Sequence, residues 1–178
     1  SSYSSYIDTN AGFCGDRSTL NLQSGVGIGT ITTYNRGYLR VVESDPNLIC
    51  ENENDLYTIS SSNQGNKALQ YTIGLITADE IILSGSSGGV FEENYSQQKI
   101  NSNGYLTMGS SFWTMTPAGG YNPFGYIRWY SMVFYVNFSN NFGAAHTTNT
   151  LGLRSVINIK SDVTITGNGT KDNPYTIS

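Results

Sequence analysis

The segment that decides the fold is residues 112–160, FWTMTPAGGYNPFGYIRWYSMVFYVNFSNNFGAAHTTNTLGLRSVINIK. β-Branched and aromatic residues concentrate in three runs, which predict strands over residues 112–117, 132–137 and 151–160. The first is expected to end at Pro117, because proline cannot donate to a sheet ladder. The third should place Leu153, Ile157 and Ile159 on one face. This part of the chain therefore predicts a β-rich framework.

Weaker signals surround this framework. Residues 37–42 and 71–76 each favour a strand, and residues 163–165 and 175–177 favour a closing hairpin. Thr77 and Glu80 have the spacing of a capping box, which predicts a short helix ending near Gly85. Asp79 and Glu80 are interpreted as helix-start carboxylates rather than a catalytic acid pair. The expected fold class is α+β, mostly β, with short helices and long irregular loops.

Composition limits the class of protein. The 178 residues fit a single domain over 1–178, with an irregular part at 1–60. The net charge of −4, with nine unclustered Lys and Arg residues, argues against nucleic acid as a partner. No run approaches the roughly 18 apolar residues of a membrane helix, and residues 1–10 do not resemble a signal peptide. We expect any targeting or anchoring region to have preceded Ser1.

The two cysteines suggest a disulfide. Cys14 and Cys50 have no companions at metal-ligand spacing, and the single histidine, His146, is far along the chain, so no metal or other cofactor is expected. A Cys14–Cys50 bridge would stabilise the fold by about 3 to 4 kcal/mol in the chain-entropy model. It would also indicate an oxidising, extracellular location. The alternative is two buried thiols in a cytosolic protein.

The two stretches between the framework strands have a different composition, rich in Tyr, Trp, Phe and Arg among Asn, Ser and Gly. This mixture is typical of antibody binding loops, where rigid aromatic anchors sit beside adaptable polar groups. It predicts a binding face over about 121–150, whereas Trp113 is assigned to the core. The alternative is that the aromatics fill a satellite core under a long loop. The predicted ligand-binding residues are Tyr121, Asn122, Phe124, Tyr126, Arg128, Trp129, Tyr130, Phe138, Asn140, Asn141, Phe142 and His146.

A family resemblance rests on these framework segments. Residues 113–117 (WTMTP), 135–137 (YVN) and 152–162 (GLRSVINIKSD), with 74–80 (GLITADE) and the tail 167–175 (GNGTKDNPY), resemble the C-type lectin-like domains of bacterial surface proteins common in gut Firmicutes. Ser155 departs from the usual proline and frees one backbone N–H. The resemblance covers most of residues 14–178 and implies a single C-type lectin-like fold.

The resemblance also implies a function. The fold is similar to that of the variable proteins of diversity-generating retroelements, whose binding residues are scattered by adenine mutagenesis, and most residues of 121–150 are of the types this produces. The expected activity is recognition of a protein or glycan on another cell, a phage or a host, at the cell surface. The Glu-Pro-Asn, Gln-Pro-Asp and Trp-Asn-Asp triplets of calcium-dependent sugar binding do not occur.

Two alternatives belong to other classes. A formylglycine-generating type of enzyme shares the lectin-like fold, but its chemistry needs a cysteine in the C-terminal half and none follows Cys50. The chain is therefore expected not to be an enzyme. A structural pilus or surface-filament subunit remains open, with an apolar helix before Ser1.

Overall fold

The computed structural model describes residues 3–18, 32–84, 98–99, 110–121, 130–138, 141–169 and 172–177, and the structural statements below concern these residues. They form eleven strands, two α-helices and two short 3₁₀ turns. The elements in chain order are β1 (Phe13–Cys14), β2 (Thr32–Tyr34), α1 (Arg36–Glu43), β3 (Leu56–Tyr57), β4 (Gly74–Leu75), α2 (Ala78–Leu83), β5 (Gln98–Lys99), β6 (Phe112–Tyr121), β7 (Tyr130–Val136), β8 (Asn141–His146), β9 (Ser155–Val156), β10 (Ile165–Thr166) and β11 (Thr176–Ile177). The 3₁₀ turns are Tyr3–Tyr6 and Glu53–Asp55. The predicted α+β class with mostly strand is confirmed.

A five-stranded antiparallel sheet forms the centre of the fold, in the order β2-β6-β7-β8-β5. Alternate residues of its long strands point to one face, as the two-residue period of a strand requires. The buried members of this face are Phe112, Thr114, Thr116, Ala118, Met132, Phe134, Val136 and Phe142. Three two-stranded antiparallel sheets, β1-β3, β4-β9 and β10-β11, complete the strand pairings.

The two helices contribute to the core on this face. Val41 of α1 and Ile81 of α2 are fully buried in one cluster with Phe134 and Phe142. The ring of Tyr38 stacks near Phe134 at 6.3 Å between centroids. The core therefore lies between the central sheet and the helix pair.

The predicted strand over residues 37–42 is wrong, because these residues belong to helix α1. Asn35 is the extended N-cap residue and Ser44 ends the helix in the left-handed region at φ 55°. Gly37 and Val41, one turn apart, are its buried residues. A Cβ at Gly37 would lie 2.5 Å from Thr116 Cγ2, so glycine permits the close approach to β6. Tertiary packing has overridden the strand propensity of Tyr38-Leu39 and Val41-Val42.

Helix α2 confirms the predicted capping box. The Glu80 backbone N–H donates to Thr77 Oγ1 at 3.1 Å, and the Thr77 N–H donates to Glu80 Oε2 at 2.7 Å. The helix covers Ala78–Leu83 and so ends just before the predicted Gly85. The predicted strand over 71–76 is shorter, since only Gly74–Leu75 pairs.

Two further strand boundaries were wrong. Strand β6 continues through Pro117 to Tyr121, and the register shifts on either side of Pro117, so the proline lies at a bulge instead of ending the strand.

In residues 151–160 only Ser155–Val156 forms a strand, with single bridges at Gly152 and Ile159. Leu153 and Ile157 are exposed. The predicted closing hairpin is confirmed by the Ile165↔Ile177 and Thr166↔Thr176 pairs.

The predicted disulfide is confirmed. Cys14 and Cys50 are bonded with a Cα–Cα distance of 5.5 Å, which joins β1 to the segment after α1. No helix among the described residues is long and apolar enough to cross a membrane.

Helix α2 offers a matched test of the core. Ile81→Ala should lower the free energy of unfolding by about 2 to 5 kcal/mol, because it opens a cavity at a fully buried site. Leu83→Ala in the same helix, where the side chain is 55% exposed, should change it by less than about 0.5 kcal/mol. Equilibrium urea unfolding measures both, and equal effects would contradict the assigned helix face.

Candidate functional site

The first predicted binding stretch forms the connection between β6 and β7. The pairing of these strands continues to Tyr121↔Tyr130, and Tyr121 also pairs with Thr32 of β2. Tyr121 and Tyr130, the described residues on either side of 122–129, therefore lie together at one end of the sheet, which we call the hairpin end. The predicted site residues Asn122, Phe124, Tyr126, Arg128 and Trp129 lie outside the described residues.

His146 lies at the same end of the sheet. It pairs with Met132, which in turn pairs with Gly119 of β6. The following turn is held against the hairpin, because the Thr147 N–H donates to the carbonyl of Ser131 at 3.0 Å. Residues 147–150 and Ser131 are exposed. The turn therefore adds a polar rim to the hairpin end.

The second predicted stretch does not form one surface with the first. Strand β8 occupies the middle of it, and Val136↔Phe142 pairs at the opposite end of the sheet from Tyr121↔Tyr130. At roughly 3.3 Å per residue, the seven residues of β7 separate the two ends by about 20 Å. Asn141 begins β8 at this far end, and Asn140, just before it, lies outside the described residues.

Two phenylalanines of that stretch have different environments. Phe142 is fully buried and packs edge-on against Phe134 with ring centroids 6.3 Å apart. Its side chain belongs to the core, so Phe142, one of the predicted ligand-binding residues, is not part of the candidate surface. Phe138 is 70% exposed, and its backbone N–H donates to Ser111 Oγ at 3.1 Å. Phe138 is accessible, but at the end of the sheet remote from the hairpin end.

Trp113, which was assigned to the core, is half-buried on the sheet face opposite the helices. Its ring meets Tyr135 edge-on at 6.2 Å. A Cβ at Gly143, the register partner of Tyr135, would lie 2.6 Å from the Tyr135 ring, so the ring covers the glycine backbone. This packing fixes the middle of the sheet between its two ends.

A part-buried charge cluster, which no sequence motif indicates, lies around Arg40. Its guanidinium contacts Asp79 through Nε at 2.6 Å and Asp16 through Nη1 at 2.6 Å. Asp79, interpreted from the sequence as a cap residue, has a 5% exposed side chain. It also accepts from the Asn47 N–H at 3.0 Å. No local signal in the sequence marks the cluster, because Arg40 lies in a helix that its residues predict as a strand and Asp79 is 39 residues away.

Electrostatics around the cluster favour the ionised forms. Burial lowers the pKa of Arg40, but its hydrogen bonds to Asp79 and Asp16 outweigh this and raise it above its ordinary value. Burial raises the pKa of Asp16, but the Ser18 hydroxyl and Arg40 together hold it below 3.8. One guanidinium is therefore shared between two carboxylates, which leaves the cluster with a formal net charge of −1.

A cavity of about 180 Å³ lies beside the cluster and is lined by Cys14, Arg40, Asn47, Asp79 and Glu80 among others. These charged groups already have partners within the protein. Arg40 forms an ion pair with Asp79, and Glu80 accepts a hydrogen bond from the Thr77 N–H. The cavity is smaller than most ligand pockets, which usually have volumes of about 300 to 1,000 Å³. Among the described residues, no group of three or more His, Cys, Asp or Glu side chains could hold a metal ion.

Comparisons with models of known protein families, with curated proteins and with solved structures gave no match for this chain. The candidate site is therefore defined by the geometry of the chain itself.

Because of the charge cluster, two arginines of α1 should differ in how much they contribute to the free energy of unfolding. Arg40→Met should destabilise the protein by about 3 to 5 kcal/mol, because it leaves the Asp79 carboxylate buried without its cation. Arg36→Met, at an exposed position of the same helix, should change the unfolding free energy by less than about 0.5 kcal/mol. Denaturant unfolding of the two variants measures the difference, and a cost below about 1 kcal/mol for Arg40→Met would show that the pair is not needed.

Asp16 should contribute to acid unfolding. Its pKa is lower in the folded protein than the ordinary 3.8, so its ionised form stabilises the fold above that pH, and this contribution is lost as pH falls further. Asp16→Asn should therefore make the unfolding free energy less dependent on pH below 3.8. Asp45→Asn, at an exposed carboxylate, is the control, and an identical acid limb for wild type and Asp16→Asn would contradict the assignment.

Proposed function

We propose that this protein is an extracellular ligand-binding domain that recognises its target through the hairpin end. The carrying observation is the pairing of β6 and β7 out to Tyr121↔Tyr130. It fixes both ends of an eight-residue segment, NPFGYIRW, on a five-stranded sheet. Binding residues are commonly carried on loops held by a rigid scaffold, and this arrangement has that form.

The chemistry of the segment suits recognition. Trp, Tyr and Arg are the residues most enriched among those that dominate binding energy, and the segment holds all three with Phe124. The exposed turn at 147–150 supplies Thr and Asn side chains at the same end, which fits a polar rim around an aromatic centre. The proposed site comprises Tyr121, Asn122, Phe124, Tyr126, Arg128, Trp129, Tyr130 and His146. Its ligand is a protein or a glycan.

The site differs from the one expected from the sequence. Phe138 and Asn141 are left out because the length of β7 separates them from the hairpin end, and Phe142 is left out because it is in the core. Asn140 is left out because it lies outside the described residues. The proposed contact area is accordingly one loop with its neighbouring turn.

We assign the domain to the C-type lectin-like class and the cell surface as part of the same proposal. Its α+β architecture, with two short helices and several small antiparallel sheets, is compatible with that class. The Cys14–Cys50 disulfide supports an oxidising compartment. The composition of residues 121–130 supports diversification of this loop by a retroelement.

Binding is tested with a matched pair of triple variants. Phe124→Ser/Tyr126→Ser/Trp129→Ser should reduce binding to glycan arrays and to intact bacterial and epithelial cells by more than about tenfold, because it removes the aromatic anchors. The control Tyr71→Ser/Leu153→Ser/Tyr175→Ser removes three exposed apolar side chains elsewhere. It should bind like wild type. Thermal unfolding checks that both variants are folded.

The proposal fails if the wild type binds nothing on these arrays and cells, or if the loop variant binds as well as wild type. Assembly of the wild type into filaments, abolished by the control variant, would instead favour a structural surface subunit.

Diversification of the loop is tested by comparing related gene sequences. Nonsynonymous differences between related loci should concentrate at adenine positions of codons 121–130, beside a reverse transcriptase gene, and an even spread along the chain would contradict it.

A further inference from the structure

A second surface, the 43–53 loop, follows α1 and shares no residue with the hairpin end. Leu48 and Ile49 at its centre are 61% and 75% exposed. Large aliphatic side chains presented together to solvent are a mark of interaction surfaces. Exposed carboxylates flank them on both sides, at Glu43, Asp45, Glu51 and Glu53.

The exposure of Leu48 and Ile49 is imposed by a network of fixed contacts. The Asp45 N–H donates to the Arg40 carbonyl, and the Asn47 N–H donates to the buried Asp79 carboxylate, each at 3.0 Å. The Ile49 N–H donates to Asn47 Oδ1 at 2.9 Å, and the next residue is bonded to Cys14 through the disulfide. A loop held in this way loses little conformational entropy when it binds a partner.

A groove of mixed character runs between this loop and α1. It has a volume of about 130 Å³, and Leu39 of the helix and Ile49 of the loop are its large aliphatic walls. Arg36, Glu51, Asp16, Arg40 and Asn47 complete the lining. Leu39 is 37% and Ile49 75% exposed, so both aliphatic walls are accessible to solvent.

The 43–53 loop carries charge of one sign. Glu43, Asp45, Glu51 and Glu53 are exposed, and the loop contains no Lys or Arg. Among the ion pairs of the described residues, these four carboxylates take no part. Of the four, only Glu51 lines the groove, where Arg36 also lies, and Arg40 is already paired with two carboxylates. A partner that docks on this loop must therefore bring positive charge.

We propose that the 43–53 loop and the groove beside Leu39 form a docking surface for a basic segment of a partner protein, one that carries an apolar anchor flanked by Lys or Arg. The anchor packs between Leu39 and Ile49 while the partner's cations meet the four exposed carboxylates. This surface is independent of the proposed recognition at the hairpin end.

The test is selection from a random dodecapeptide library displayed on phage, with the Leu48→Ser/Ile49→Ser variant as the counter-selected bait. Peptides enriched on wild type should carry net positive charge and at least one large apolar residue. Calorimetry with the most enriched peptide should show an affinity loss of more than about tenfold for Leu48→Ser/Ile49→Ser. Glu51→Gln/Glu53→Gln should weaken binding and reduce its salt dependence, because salt screens the attraction between exposed charges and this variant removes two of them.

Leu153→Ser/Ile165→Ser provides the control, since both side chains are exposed at distant positions of the chain. It should bind the selected peptide like wild type. Enrichment of neutral or acidic peptides, or equal binding to the 48/49 variant, would overturn the proposal. So would a wild-type dimer in sedimentation that the 48/49 variant abolishes, because the surface would then join two copies of this chain. None of these variants alters residues 121–130, so the result stands apart from the test of the hairpin end.

Discussion

The ion pairs of Arg40 link the two helices to each other and to the segment after β1. One guanidinium joins α1 to Asp79 of α2 and to Asp16, which follows β1. Because leaving a buried charge without its partner costs several kcal/mol, the buried Asp79 carboxylate depends on this cation. Asp79 also holds the backbone at Asn47. The packing of α1 against α2 and the shape of the 43–53 loop thus depend on one part-buried cation and its two carboxylates.

The elements that the sequence predicted well are those whose signals are local or unique. The capping box at Thr77 needs only residues three apart, and two cysteines allow only one bridge. Helix α1 could not be predicted in this way. Its strand-like residues become helical because Gly37 fits against Thr116, far along the chain, and Val41 enters the core. The role of Asp79 was hidden for the same reason, since its partner is 39 residues away.

The candidate site was predicted in composition but not in arrangement. Residues 138–150 look like a polar loop because Gly143, Ala144 and Ala145 give a weak strand signal, yet these three lie in the middle of β8. Phe142 is apolar among Asn and Gly, and its environment is decided by Phe134 on the neighbouring strand. Without the register of β7 against its neighbours, nothing in the sequence shows that Tyr130 and Phe142 lie at opposite ends of the sheet.

The two ends of the sheet are held by different interactions. Two large core side chains, Phe112 and Phe142, are in register with Val136 at the end remote from the hairpin. At the hairpin end, β6 is bulged, and Gly119 adopts φ 145°, a conformation that few other residues tolerate. Backbone pairing, which any side chain except proline allows, joins β6 and β7 at Tyr121↔Tyr130. The pairing at that position thus depends on the backbone and not on the identity of the two side chains. The 43–53 loop is held by side-chain contacts instead, because the disulfide and Asp79 fix its conformation.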